Sequence, residues 1–162
     1  MGGGLGLWGH GLRSRQLCGP LYPDGEPGVI VVLARRYRCI PCDAVILVVP
    51  RELLPRRHYS AAAIALALAL WAILQQPPRE VRRRVGRWPI VGPSAPGRWA
   101  TLRRWAEAVR EGALFPGVRP SPPEWSLRDV ARRASTTIAA HGPPEIGAGL
   151  EVQAFLGGAC MT

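Results

Sequence analysis

Arg35–Ser60 reads RRYRCIPCDAVILVVPRELLPRRHYS, and three kinds of local structure meet in it. Upstream, Val29–Leu33 is an unbroken aliphatic and β-branched run that leads through Ala34-Arg-Arg-Tyr-Arg to Cys39. Downstream of Cys39-Ile-Pro-Cys42, Ala44–Val49 is a second such run, closed by Pro50. Two strand-type runs around a four-residue turn predict an antiparallel hairpin with the two cysteines at its tip. Glu52–Tyr59 is then a basic, proline-marked connector, and Ser60 is placed to cap a helix over Ala61–Leu74.

That helical run, AAAIALALALWAIL, is apolar nearly all round, as expected of a buried helix. Ala61, Ala62, Ala65, Ala69 and Ala72 fall on one side of its wheel, where a neighbouring backbone can come close. Its 14 residues fall short of the roughly 20 that a membrane span requires, which favours a core helix. Pro77 and Pro78 stop it. A short basic helix follows from Arg79 to about Gly86, then a loop over Pro89–Gly97. A third helix runs from Gly97 or Arg98 to Glu111, with Trp99, Leu102, Trp105, Ala106 and Val109 on its apolar side. Pro116–Pro123 is a linker, and Ser126-Leu-Arg-Asp opens a fourth helix with a capping-box-like start. From His141 onward, glycine, proline and small residues predict a loose tail, and Met1–Pro27 reads as turns or a short strand. The fold class expected is α+β: a small N-terminal β-hairpin, zinc-ribbon-like, followed by a mainly α, helix-turn-helix-like bundle. The expected divisions are 1–55, 56–115 and 116–162.

The chain has 162 residues and a formal charge of +10, with all 21 of its cations arginine and no lysine or asparagine. Such a bias is what a GC-rich coding sequence produces, and it makes a solvated basic surface one reading of the charge. The clustering of the arginines is the argument for the other, a polyanionic partner. Cysteines stand at 18, 39, 42 and 160, with close spacing only between Cys39 and Cys42. This is not a disulfide framework, no secretory leader is visible, and a reducing cytoplasm is the expected compartment.

Two features carry chemistry. Cys39 and Cys42 form half of a zinc-ribbon site, and structural zinc takes four ligands. Cys18, His10 and His58 are the remaining candidates, none at knuckle spacing, so a metal-free turn stands beside a Zn2+ site. The second feature is the order of helices: a buried one, a short basic one, then RWATLRRWAEAVRE. This order suits a helix-turn-helix in which Arg98, Arg103 and Arg104 face the major groove while Arg82, Arg83, Arg84 and Arg87 clamp phosphates of double-stranded DNA. A helical bundle with a basic surface is the plain alternative, and the connection from Arg87 to Gly97 is longer than the usual tight turn. No serine, cysteine or carboxylate constellation at catalytic spacing is visible, and no small-molecule substrate or enzymatic activity is expected.

Trp8-Gly-His-Gly-Leu-Arg-Ser-Arg, the Arg-Arg-Tyr-Arg-Cys-x-x-Cys knuckle, Val-Val-Pro, and Arg-Arg-His-Tyr-Ser before a helix occur in that order between Trp8 and Arg110. This succession resembles a bacterial family of unknown function that couples a transposase-type zinc ribbon to a helix-turn-helix. The resemblance implies DNA binding linked to mobile elements, with zinc held by two cysteine pairs. In that family the first pair precedes the His-Gly segment; here Met1-Gly-Gly-Gly-Leu-Gly stands in its place. Cys39 and Cys42 alone carry over as ligands. A transposase-related DNA-binding module without a catalytic domain is the leading expectation. The alternatives are a small membrane-associated protein anchored by residues 61–74 and a truncated or mis-started reading frame.

Overall fold

The computed structural model describes residues 6–50, 52–88 and 99–161. Three antiparallel strands come first: β1 (Leu7–Gly19), β2 (Gly28–Cys39) and β3 (Val45–Val48), in the order β1-β2-β3. Five helices follow: α1 (Ala61–Ala72), α2 (Pro78–Val85), α3 (Ala100–Arg110), α4 (Leu127–Ala139) and α5 (Leu150–Cys160). The mixed α+β class expected from the sequence is therefore observed.

The hairpin expected around the cysteines forms, with Arg35 opposite Val48 and Arg38 opposite Val45. The sheet is larger than expected, however. The glycine-rich N-terminal segment, read as turns or a short strand, supplies the 13-residue β1, which pairs with β2 from Leu7↔Cys39 to Gly19↔Gly28. The sequence pattern hides it because the alternation breaks between Gly9 and Leu12, where the register shifts and Gly11 sits at φ +82°. A bulge there displaces the residues that would otherwise keep a period of two. The β-branched run of β2 supplies the template.

α1 is the axis of the helical part. All of its residues are buried, because α2, α3, α4, α5 and the end of β1 pack around it. Ser60 caps it: its Oγ accepts from the Ala63 N–H at 3.0 Å, an arrangement worth about 1 kcal/mol. The helix ends at Ala72 rather than Leu74. Gln75 turns the chain out at φ 53° before Pro77 and Pro78 can force the break. No helix among the described residues is long and apolar enough to cross a membrane, and the apolar run considered as an anchor is spent on the core.

The tail expected to be loose contains α5. Its Gly157 and Gly158 are poor helix formers, which is why local propensity misses it. Packing explains them. A Cβ on Gly158 would stand 2.9 Å from the Ala61 carbonyl oxygen and 3.1 Å from the Ala62 Cα. One on Gly157 would collide with the Ile138 carbonyl oxygen of α4. α5 thus lies in a groove that only glycine fits, against the alanine side of α1. Val130, Ile138 and Phe155 consequently join the same core as Ile64, Leu66 and Trp105, so the core spans both sides of the division expected at 115/116.

β1 is joined to α1 by the His58-Tyr59-Ser60 hinge. The Cys18 N–H donates to the His58 carbonyl at 2.6 Å, and the Ser60 N–H donates to the Cys18 carbonyl at 3.0 Å. Gly19, at φ +133°, lies so close to Ala63 that a side chain has no room.

Candidate nucleic-acid interface

α2 is short and strongly two-sided. Val81 and Val85, one turn apart, are fully buried, which leaves the arginines to the outer surface. Glu80 lies in its first turn, and Arg82, Arg83 and Arg84 lie in its last, where the negative end of the helix dipole favours cations. Arg82, Arg83, Arg84 and Arg87 line one open cleft of about 690 Å3 with Arg79 and Trp88. Its opposite wall is the β1–β2 turn, Asp24–Pro27. Arg84 ties the two walls together through a bond from Nη2 to the Pro23 carbonyl at 3.1 Å. Asp24 and Glu26 offset part of the charge of the five arginines, and Arg83 pairs with Glu80 at 2.5 Å.

Beneath the cleft, Tyr59, Trp99 and Trp105 stack edge to face, with ring centroids 5.0–6.0 Å apart. Gly86 lets the end of α2 lie over the Tyr59 hydroxyl; a Cβ there would be 3.1 Å from it. Burial raises the Tyr59 pKa, the nearby Cys18 adds to the rise, and Arg82 opposes it. The basic hinge legible in the sequence is therefore the floor on which the arginine helix rests.

The arginines named from the sequence separate into groups. Arg82, Arg83, Arg84 and Arg87 line one cleft, and Arg79, not singled out, joins them. Arg103 and Arg104 are exposed on the outer side of α3, whose Leu102, Trp105, Ala106 and Val109 face the core, and neither lines the α2 cleft. Arg110 is drawn inward, with Nη2 donating to the Trp125 carbonyl at 2.6 Å. Arg98 lies outside the described residues, as does most of the connection between α2 and α3.

Cys39 and Cys42 sit at the far tip of the sheet. The turn is closed by Cys39 N–H to the Ala44 carbonyl and Asp43 N–H to the Cys39 carbonyl, both 2.9 Å, with Asp43 at φ 61° and ion-paired to Arg38. Hydrogen bonds at the Ala44 backbone and from Cys39 lower the pKa of the exposed Cys42 thiol. Cys18 and His58 are at the opposite end: Cys18 pairs with Val29, ten residues along β2 from Cys39, or about 33 Å at strand rise. That separation removes them as partners for the knuckle. His10 does share an open cavity with Cys39 and Asp43. Among the described residues, no group of three or more His, Cys, Asp or Glu is placed to hold a metal ion. The two thiols thus offer half of a tetrahedral set.

No family model, curated protein or solved structure matches the chain.

Proposed function

We propose that this chain is a double-stranded-DNA-binding protein, a module of the kind found with mobile-element transposases. The observation that carries the reading is the gathering of Arg79, Arg82, Arg83, Arg84 and Arg87 into one cleft on α2. Guanidinium groups are always charged and match phosphate oxygens in pairs, so this cleft suits a phosphate backbone. Arg103 and Arg104, exposed on α3, are the residues proposed to reach base edges, since arginine pairs bidentately with guanine. In this reading α2 positions the duplex and α3 supplies any sequence preference. Cys39 and Cys42 are proposed as zinc ligands only through the family resemblance, and the interface does not depend on them.

Fluorescence anisotropy on a labelled duplex between 50 and 200 mM salt tests this. Each arginine–phosphate contact contributes a slope of about −0.9 in log K against log salt. The triple variant Arg82→Gln, Arg83→Gln, Arg84→Gln is therefore expected to lower the slope by about 2.7 at unchanged helicity. Arg103→Gln with Arg104→Gln is expected to compress differences between duplex sequences by about 1–3 kcal/mol per lost base contact. A native chain that fails to bind duplex at 50 mM salt, or a triple variant with an unaltered slope, would sink the proposal.

A further inference from the structure

The three strands contain no acidic residue, yet β1 and β2 contribute Arg13, Arg15, Arg35, Arg36 and Arg38. Directly opposed residues of an antiparallel ladder share a face, and residues two apart along a strand do too. Arg13 opposes Ala34, Arg15 opposes Val32, and Trp8 opposes Arg38. Ala34, Val32, Arg36 and Arg38 alternate along β2, so Arg13, Arg15, Arg36 and Arg38 all fall on one face, with Trp8. The other face carries Val31, Leu33 and Val48, with Arg35 the only arginine among them.

This sheet is an arm. Leu17, Cys18 and Gly19 are buried at its root, and in β2 only Ala34 is buried; Leu7–Ser14 is exposed throughout. From Gly28 to Cys39 it extends about 36 Å, close to one helical turn of DNA. The root is the Asp24–Pro27 turn that also walls the arginine cleft of α2.

We propose that the arm is a second DNA contact, with its Arg13–Arg15–Arg36–Arg38 face laid along the duplex backbone beyond the α2 cleft. The inference rests on the DNA-binding reading above and adds a separate surface to it. Among the described residues, Asp43 is the sole carboxylate ion-paired to any of these four arginines, through Arg38. Arg36 Nε braces the bulge by donating to the His10 carbonyl at 3.2 Å, which leaves Arg13 and Arg15 as the residues to replace. Contacts of this kind carry no sequence information, so their loss affects all duplexes alike.

The test is the salt dependence of duplex binding for the full chain, for Arg13→Gln with Arg15→Gln, and for Arg13→Lys with Arg15→Lys. The glutamine pair is expected to lower the slope by about 1.8, so that raising salt from 50 to 200 mM costs about tenfold less affinity than in the native chain. The lysine pair keeps the charge and is expected to keep the slope. If the native chain binds and the glutamine pair keeps the native slope, the arm is not a contact and the α2 reading stands alone. If the lysine pair loses the slope as well, the positions act through the fold and the inference falls. If the glutamine pair instead loses binding to anionic phospholipid vesicles with its DNA slope intact, the partner is a lipid surface and the inference falls too. A native chain with no duplex binding overturns the α2 reading and the arm together.

Discussion

Cys18 and Tyr59 face each other where β1 is bridged to the hinge, and burial raises the pKa of both. Each is neutral when protonated, and the folded chain holds that proton more tightly than the unfolded one. The stability the pair contributes is therefore fully present below about pH 8.5, the ordinary thiol value, and is lost as pH climbs through the raised folded values, first for Cys18 and then for Tyr59, whose ordinary value is about 10. Thermal melting followed by circular dichroism between pH 7 and 11 is expected to show a falling midpoint above about pH 9. Cys18→Ala with Tyr59→Phe should flatten that fall; an equally steep fall in the variant would assign it to other groups. Nothing in the spacing of Cys18 announces this pairing, because the two residues are brought together by the parallel bridge between Cys18 and Tyr59. The hinge itself, as a basic connector ending in the Ser60 cap, was readable, since capping chemistry is local.

α5 shows most clearly where propensity and packing part. Judged by helix propensity alone, Gly158→Ala would stabilise by about 1 kcal/mol. The Cβ it adds would stand 2.7 Å from that of Ala65 and 2.9 Å from the Ala61 carbonyl oxygen. The expected net effect is a loss of about 1–3 kcal/mol, as for overpacked cores. Gly157→Ala should cost more, because the Ile138 carbonyl oxygen is backbone and cannot rotate away. Urea unfolding of the two variants decides the sign, and stabilisation by either would show that α5 does not sit in this groove. β1 teaches a related lesson. A strand with a bulge loses its alternation, and only its partner strand restores the register. β2, β3 and α1–α4 were legible because a β-branched run, a serine cap, paired prolines and a clean apolar stripe are signals within one element.

At the scale of the molecule, a single buried helix is shared by everything that follows the sheet. Because α4 and α5 both pack on α1, the last fifth of the chain supports the first helix. A chain ending at His141 would uncover Ala61, Ala62 and Ala65 and lose the burial of Phe155, itself worth about 3–5 kcal/mol by comparison with truncation of buried aromatic residues. Calorimetry of that truncated chain is expected to show no cooperative unfolding peak. A sharp peak at the native temperature would show α5 to be dispensable. The sheet stands apart in character, with both faces largely exposed and its contact with the helices confined to the root.

By itself the sequence determined the elements whose signals are short in range. These are the hairpin with its cysteines at the tip, the Ser60-capped apolar helix stopped by prolines, the short basic helix after it, and the amphipathic pair that follows. It also determined the charge, and with it the arginine cluster at Arg82–Arg87, because residues on a short helix are neighbours in sequence as well as in space. Only the tertiary structure decided the rest. Arg79 and the Asp24–Pro27 turn became walls of one cleft, and Arg13, Arg15, Arg36 and Arg38 came onto one face through a register bridged by a bulge. Cys18 and His58 were carried to the end of the sheet opposite the knuckle, and a glycine-bearing tail became a helix where its missing side chains leave room for α1. Each of these depends on contacts between residues distant along the chain, and no local propensity encodes such contacts.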